Sequence, residues 1–353
     1  MSRVIKRGKP PKSMSNKYFL LIAISCSLGV ECLATPFPKI IHHGYFRANH
    51  FDNSSKTPPK LSIDEFCNRL ASEFKKYRWD KDPCGKVPWQ VQGYTQLGRP
   101  LLYWVFGNGP KTTLLISGVH PDEMTPIPMG FRFANYIFEN PKAVNPKEDR
   151  VIVAPLANPD GFLVSRPSRL NASKIDINRN FPTLDWHAKA IRWWISTKGR
   201  SPRHFPGFFP ESEEETYLQT YLISTYSPDK ILSIHAPLGF LDYDGPGDRI
   251  KRPRNQEAKL AKGYASEISK TSKNYRIVDY SFYPGSLGNY AGNERKIPTV
   301  TLELRTSKPE KVEEYWKLFL PGMLKSIEYP FRRMGQNFES KNPVGEKRAL
   351  NKN

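Results

Sequence analysis

At 353 residues the chain can hold one large domain or two small ones, with enough length for a substantial core. Its 54 lysines and arginines against 34 acids leave a net charge of +20, which suits an anionic partner: nucleic acid, an acidic membrane surface or an acidic polymer. No basic helix with interleaved aromatics and no zinc-finger spacing accompanies that charge, so nucleic acid is not the expected partner.

The first stretch, MSRVIKRGKPPKSMSNK, carries six basic residues and no acid, and it leads into the apolar run Tyr18 to Val30. A basic lead, an apolar run and a small residue at Ala34 follow the order of a secretory signal, so residues 1–34 read as a signal peptide or membrane anchor. The apolar run is short of the ~20 residues that span a bilayer. A lipid attached at Cys26 is a weaker alternative, because Ala23, Ile24 and Ser25 make an imperfect approach to it. The expectation is therefore an exported protein, periplasmic or otherwise outside the cytoplasm. Any membrane contact is confined to an uncleaved N-terminal segment.

Residues 35–60 are rich in Pro, Asn and Ser and read as a linker; His42 and His43 within it have no third ligand at a suitable spacing. Residues 61–84 read as a helix and loop. Ser62 and Glu65 have capping-box spacing, Leu61 and Phe66 are placed as a staple, and Ile63, Phe66, Leu70 and Phe74 share one face. Once a signal is removed, only Cys67 and Cys84 remain. In an oxidising compartment they can form one bridge; two unconnected thiols are the equal alternative, because sequence does not give their Cα separation.

From residue 85 to 330 strands and helices alternate. WQVQGYTQLG, LLYWVFG, TTLLISGV, RVIVAPL, KILSIH and IPTVTLEL read as strands, the last four as buried ones. Helices are expected at about Thr125 to Glu139, Ser212 to Thr225, Asn255 to Thr271 and Pro309 to Ile327. This predicts a single α/β domain: a mixed, largely parallel twisted sheet flanked by helices on both faces. The basic tail 331–353 lacks apolar periodicity and reads as disordered.

In such sheets ligands gather at the carboxyl ends of strands. His120, His235 and Glu303 each end an apolar strand, and Glu123 follows His120 by three residues. Taken alone, His-x-x-Glu is better read as a polar turn closing the strand, because so short a pattern arises often by chance. A catalytic zinc site needs three protein ligands and an open position, and His120, Glu123 and His235 supply two imidazoles and a carboxylate. Imidazole favours zinc over magnesium. His187 and His204 lie off strand ends and read as surface.

Over about Gly93 to Lys325 the chain resembles the zinc metallocarboxypeptidase family of carboxypeptidase A. The resemblance rests on HPDE at 120–123, NPDGF at 158–162, RLNASKIDINRNFP at 169–182, SIHAPLG around His235, and GSLGNYAGNERKIPTVTLELR ending near Glu303. In detail it looks most like the bacterial murein-peptide amidases and cell-shape carboxypeptidases, which cut the γ-D-glutamyl to meso-diaminopimelate bond of peptidoglycan stem peptides. The resemblance implies one zinc on His120, Glu123 and His235. It implies Glu303 as general base and Arg169 at the oxyanion, with Arg166 as the substitute if the loop is shifted. Asn178 and Arg179 would hold the substrate's terminal carboxylate, and Tyr283 is the nearest candidate for a tyrosine closing over it. Arg305 reads as a structural ion-pair partner.

Two departures from the pattern are Pro121, where glycine is common, and Ser173-Lys174, where Arg-Gly is usual. Asp242 and Asp244 could meet the free amine of diaminopimelate; a solvated turn is the competing account of that stretch. The expected partners are peptidoglycan stem peptides. Two alternatives are an N-acyl amino acid deacylase of the succinylglutamate desuccinylase type and a non-catalytic wall-binding protein.

Overall fold

Alternation along the central strands sends successive side chains to opposite faces of one sheet, and each face builds its own apolar cluster. In the computed structural model, which describes residues 58–246 and 256–330, eight strands form that sheet. They are β1 (Gln90–Tyr94), β2 (Pro100–Phe106), β3 (Lys111–Ile116), β4 (Asp149–Ala154), β5 (Lys230–His235), β6 (Phe240–Tyr243), β7 (Ile277–Val278) and β8 (Thr299–Glu303). Their order is β1-β2-β4-β3-β5-β8-β6-β7. The central block β4-β3-β5-β8 is parallel, while β1, β2 and β6 pair antiparallel with their neighbours on the β4 and β8 sides.

The helices are α1 (Ile63–Lys76), α2 (Pro126–Glu139), the single turn α3 (Pro159–Phe162), α4 (Trp186–Lys198), α5 (Glu214–Tyr226), α6 (Gln256–Thr271) and α7 (Val312–Glu328). Leu115, Val151, Val153, Leu232 and Leu302 point into the cluster shared with α1, α2, α6 and α7. Leu114, Ile116, Ile152 and Ile231 point to the other side, onto Leu218, Leu222 and Ile223 of α5. Both faces of the central strands are thus covered, which is why those strands read as unbroken apolar runs. No helix among the described residues is long and apolar enough to cross a membrane.

Helix α1 starts as its cap residues predict: Ser62 accepts from the Glu65 amide and the Glu65 carboxylate accepts from the Ser62 amide. Phe66, Leu70 and Phe74 are buried, and the Phe74 ring meets Phe131 of α2 edge-on at 5.8 Å. Cys67 and Cys84 are bridged, with Cα atoms 5.9 Å apart, which decides between the two readings of that pair.

The sequence reading missed α4, β6 and β7. Helix α4 has little sidedness, with Trp186 and Ala190 its buried residues, so its apolar period is weak. Strand β6 lies in FLDYDGPG, the stretch for which a solvated turn competed. Phe240, Leu241 and Tyr243 there are buried, and Leu241 pairs with Leu302. The expected segments at 1–34, 35–57 and 331–353 lie outside the described residues, as do Cys26, His42 and His43.

Candidate metal centre and active site

Strand β3 connects to β4 on one side, and the chain then passes to β5 on β3's other side, so a crevice opens at the carboxyl ends of β3 and β5. His120 lies just beyond β3, His235 is the last residue of β5, and Glu303 is the last residue of β8. The turn after β3 is tight. Gly118 adopts φ +61°, and a Cβ there would meet the Leu156 side chain at 2.7 Å.

His120 then caps a 3-10 turn, Pro121–Glu123, whose first residue is proline. That position lacks an intrahelical partner for its N–H, so Pro121 fits where glycine is more usual. The Glu123 amide donates to the His120 carbonyl at 3.0 Å, and this one turn brings His120 Nδ1 within 2.9 Å of Glu123 Oε1. From β5, His235 Nδ1 stands 2.9 Å from Glu123 Oε2, and the Ala236 amide donates to the same oxygen at 3.1 Å. One ligand atom from each of the three residues lies within 4.8 Å of the others, and all three side chains are buried.

Asp176 sits behind this group and was assigned no role from sequence. Its Oδ1 lies 3.0 Å from His120 Nε2, and its Oδ2 accepts from Arg169 Nε at 2.9 Å. Burial pushes the Asp176 carboxyl up, but the charges of Arg169 and His120 outweigh it and hold the group well below the usual carboxylate range. A carboxylate on Nε2 fixes a proton there and leaves the Nδ1 lone pair turned toward Glu123 and His235.

Two imidazole Nδ1 atoms and a carboxylate, aimed inward and backed by a second carboxylate, fit a zinc ion with an open position. Burial likewise pushes Glu123 up, and the two histidines reverse it, leaving an anionic carboxylate as a cation requires. Arg169 Nη1 reaches the same point, 3.0 Å from His120 Nδ1 and 3.3 Å from Glu123 Oε1. The buried Arg169, not the exposed Arg166, is the arginine of the centre. His204 was read as surface; it is half-buried, with Nδ1 3.7 Å from Asp176 Oδ2. An ion pair also ties Arg203 to Asp122 of the ligand turn.

Glu303 faces His235 across the β5–β8 pairing. Its Oε2 is buried without a hydrogen-bond partner among the described residues, and burial pushes its carboxyl up to about 7. Arg305, expected in an ion pair, forms none among the described residues; its guanidinium instead lies 5.5 Å from the centre of the Tyr275 ring.

Asn178 and Arg179 follow Asp176 in a second 3-10 turn, Ile177–Arg179, capped by the Asp176 side chain. The Asn178 side-chain oxygen accepts from the Leu287 amide at 2.8 Å, so this turn is docked on the 283–287 segment. Arg179 is buried, its Nε has no partner among the described residues, and its guanidinium stacks on Tyr283 at 4.7 Å and Trp193 at 5.4 Å. Trp193 belongs to α4 and was not singled out from sequence.

Deeper on that side, Asp244 Oδ2 accepts from Thr301 Oγ1 at 2.6 Å. Burial and the neighbouring Asp242 push its carboxyl up to about 8. A Cβ on Gly288 would lie 2.3 Å from Asp244 Oδ1, so glycine leaves the room this carboxylate fills. Lys174 adopts φ +62° in the 169–179 loop, at the position where the family usually has glycine.

The zinc carboxypeptidase family profile matches residues 87–322, two thirds of the chain and all of the centre just described. The chain belongs to the zinc carboxypeptidase family. Among relatives, the murein peptide amidase A of Vibrio campbellii is 32% identical over 219 residues, 60% of this chain and 77% of the relative. Murein peptide amidase A of Escherichia coli K12 is 26% identical over 237 residues, 66% of this chain and 88% of that protein.

Bovine thrombin-activatable fibrinolysis inhibitor has the same fold, with a TM-score of 0.56 at 18% identity over 76% of this chain and 96% of that one. Carboxypeptidase A from Helicoverpa armigera shares it too, with a TM-score of 0.55 at 16% identity over 76% of this chain and 72% of that one. As a zinc carboxypeptidase the protein is a zinc metallopeptidase, a hydrolase, and the His120, Glu123 and His235 set is able to hold a metal ion.

Proposed function

We propose that this metallopeptidase hydrolyses the γ-D-glutamyl to meso-diaminopimelate bond of peptidoglycan stem peptides outside the cytoplasm. The observation that carries the reading is that Arg169 reaches the metal centre, Glu303 stands beside His235, and Arg179 lies over Tyr283. Asn178, Arg179 and Asp244 provide a carboxylate-binding arginine and a half-buried acid, which suits a terminal residue bearing both a carboxylate and an amine. Two relatives carry the name murein peptide amidase, in agreement with that substrate.

Zinc held by the three ligands supplies a Lewis acid that polarises a carbonyl and makes water more acidic. Arg179 and Asn178 seat the terminal carboxylate, and Asp244 receives the amine at the far end of the diaminopimelate side chain. Glu303 takes a proton from the water attacking the γ-carbonyl carbon and delivers it to the leaving nitrogen, so the C–N bond breaks to give an acid and an amine. Its raised pKa suits both halves of that transfer. Arg169 places fixed positive charge beside the oxygen that becomes anionic.

Export rests on the basic and apolar lead at 1–34, and the Cys67–Cys84 bridge supports an oxidising compartment.

Digestion of purified muropeptides, followed by mass measurement, tests the activity. Release of diaminopimelate from a tripeptide is expected. An untouched digest with cleavage of N-succinylglutamate instead would replace this reading by a deacylase one. Fractionation of cells expressing the full chain tests export; the full-length, unprocessed chain in the cytoplasmic fraction would rule it out.

A further inference from the structure

A cavity of about 400 Å³ lies beside the loop that carries Arg169, between the β1–β2 turn and residues 160–174. Arg166 and Lys174 line it, both exposed, and neither side chain makes a hydrogen bond or ion pair among the described residues. Asp160 is the one acid in the lining. It is buried and already bound by Thr95 Oγ1 at 2.7 Å, the Leu97 amide at 3.1 Å and Arg99 Nη1 at 3.2 Å. Its charge is therefore neutralised from behind, and the cavity presents net positive charge.

Ser168 and Leu170, which flank Arg169 in the chain, line the cavity, so it adjoins the arginine of the centre. Asn178 and Arg179 dock on the 283–287 segment, and Asp244 meets Gly288, so the leaving half occupies the β8–β6 flank. The β1–β2 turn and the 160–174 loop sit at the same edge of the sheet but on the β4 flank, and Asn158, just after β4, donates to the Arg169 carbonyl. A substrate with its terminal carboxylate at Arg179 and its reacting carbonyl beside Arg169 therefore directs its acyl half toward this flank. Lys174 stands there at φ +62°, where glycine would be free of strain.

We infer that Arg166 and Lys174 form an anion-binding subsite for the acyl side of the substrate, taking a carboxylate held a short methylene arm away from the reacting carbonyl. The inference rests on the proposed function, in which that carboxylate is the α-carboxylate of the γ-linked glutamyl residue. Such a subsite distinguishes a glutamyl residue whose second acid is free from one whose second acid is amidated, because only the free acid carries the charge that Arg166 and Lys174 complement.

The test compares two synthetic peptides, L-alanyl-γ-D-glutamyl-diaminopimelate and the same peptide with the glutamyl α-carboxylate converted to a carboxamide. The full-length protein is expected to prefer the free acid by about tenfold or more in kcat/KM, the scale of a charge-assisted contact. Arg166→Gln and Lys174→Gly should each erode that preference, and together bring the ratio near one. Lys174→Gly should melt no lower than the parent, since φ +62° suits glycine, so a lost ratio cannot be laid to misfolding. Equal rates for the two peptides with the parent protein, or an unchanged ratio in the double variant, overturn the subsite and leave the proposed function standing. Cleavage of neither peptide overturns both.

Discussion

His235 and Glu303 end neighbouring parallel strands on the same rung of the sheet, so a metal ligand and the proposed base are held one strand spacing apart by backbone pairing rather than by any contact between them. Glu303→Gln keeps the shape and removes the proton acceptor. We expect kcat to fall at least ~100-fold, within the range contributed by general bases. Metal analysis should still show about one zinc per chain, and a variant that turns over as fast as the parent would remove Glu303 from the mechanism. The base works ionised, so kcat/KM should rise with pH along an acid limb. Bound zinc draws the raised Glu303 pKa downward, which places that limb at or below about 7.

Asp176 joins His120 to Arg169. Asp176→Ala should weaken zinc binding by ~10- to 100-fold, as loss of an outer carboxylate does at other metal sites. It also takes one of two carboxylate partners from a buried arginine and leaves it Glu123, a loss of about 1–3 kcal/mol in stability. Asp176→Asn retains the shape and should fall between the two. Competition with a chromogenic chelator and urea unfolding measure these effects separately; unchanged zinc affinity in the alanine variant would refute the orienting role.

Trp193 and Tyr283 form an aromatic pair with ring centres 5.2 Å apart, and the Arg179 guanidinium lies over both. A cation–π contact of this kind contributes about 0.5–2 kcal/mol. Trp193→Ala should therefore raise KM for peptides with a free terminal carboxylate by roughly threefold to tenfold. The change in kcat should be smaller, and Trp193→Phe should recover most of the loss. An equal KM change for a C-terminally amidated peptide would show that the effect does not pass through Arg179.

Burial keeps Asp244 protonated in the free pocket at neutral pH, with a pKa of about 8. An incoming ammonium reverses that preference, because an opposite charge nearby favours the ionised carboxyl. Asp244→Ala should weaken diaminopimelate substrates by about tenfold or more while sparing γ-glutamyl peptides that lack the second amine. Steady-state kinetics on the two substrate types decides it: an equal loss on both would mean that Asp244 only supports the fold.

Glu215 lies on α5 and is buried beside Asn171, whose amide donates to both Glu213 and Glu215. Burial, followed by the charges of Asp160 and Glu213, pushes its carboxyl up to about 8 from an ordinary value of 4.5. The folded state therefore favours the protonated form. This contribution to stability is complete below about pH 4.5, where the unfolded chain is protonated too. It is lost as pH rises from there toward 8, at roughly 1.4 kcal/mol per unit. Glu215→Gln should flatten that fall, so the variant gains on the parent in melting temperature between pH 5 and 8. Parallel melting curves across that range would contradict the assignment.

Particular residues show where sequence was enough. His120, Glu123, His235 and Glu303 were legible because each follows a strand whose apolar run is unmistakable, and strand ends in a parallel sheet converge. Cap residues gave the start of α1 for the same kind of local reason. Asp176 was within a quoted motif but unassigned, since its role exists only where two other segments fold against it. Trp193 and β6 were missed because neither announces itself: α4 has a weak apolar face, and FLDYDGPG carries the composition of a turn.

The sequence alone determined most of the elements and the chemical types at their ends, because capping, alternation and donor identity act between near neighbours in the chain. Tertiary structure decided which arginine enters the centre, that Asp176 braces two of its members, and that Cys67 meets Cys84. Those outcomes depend on distances between segments far apart in sequence, set by strand order and by the packing of both sheet faces.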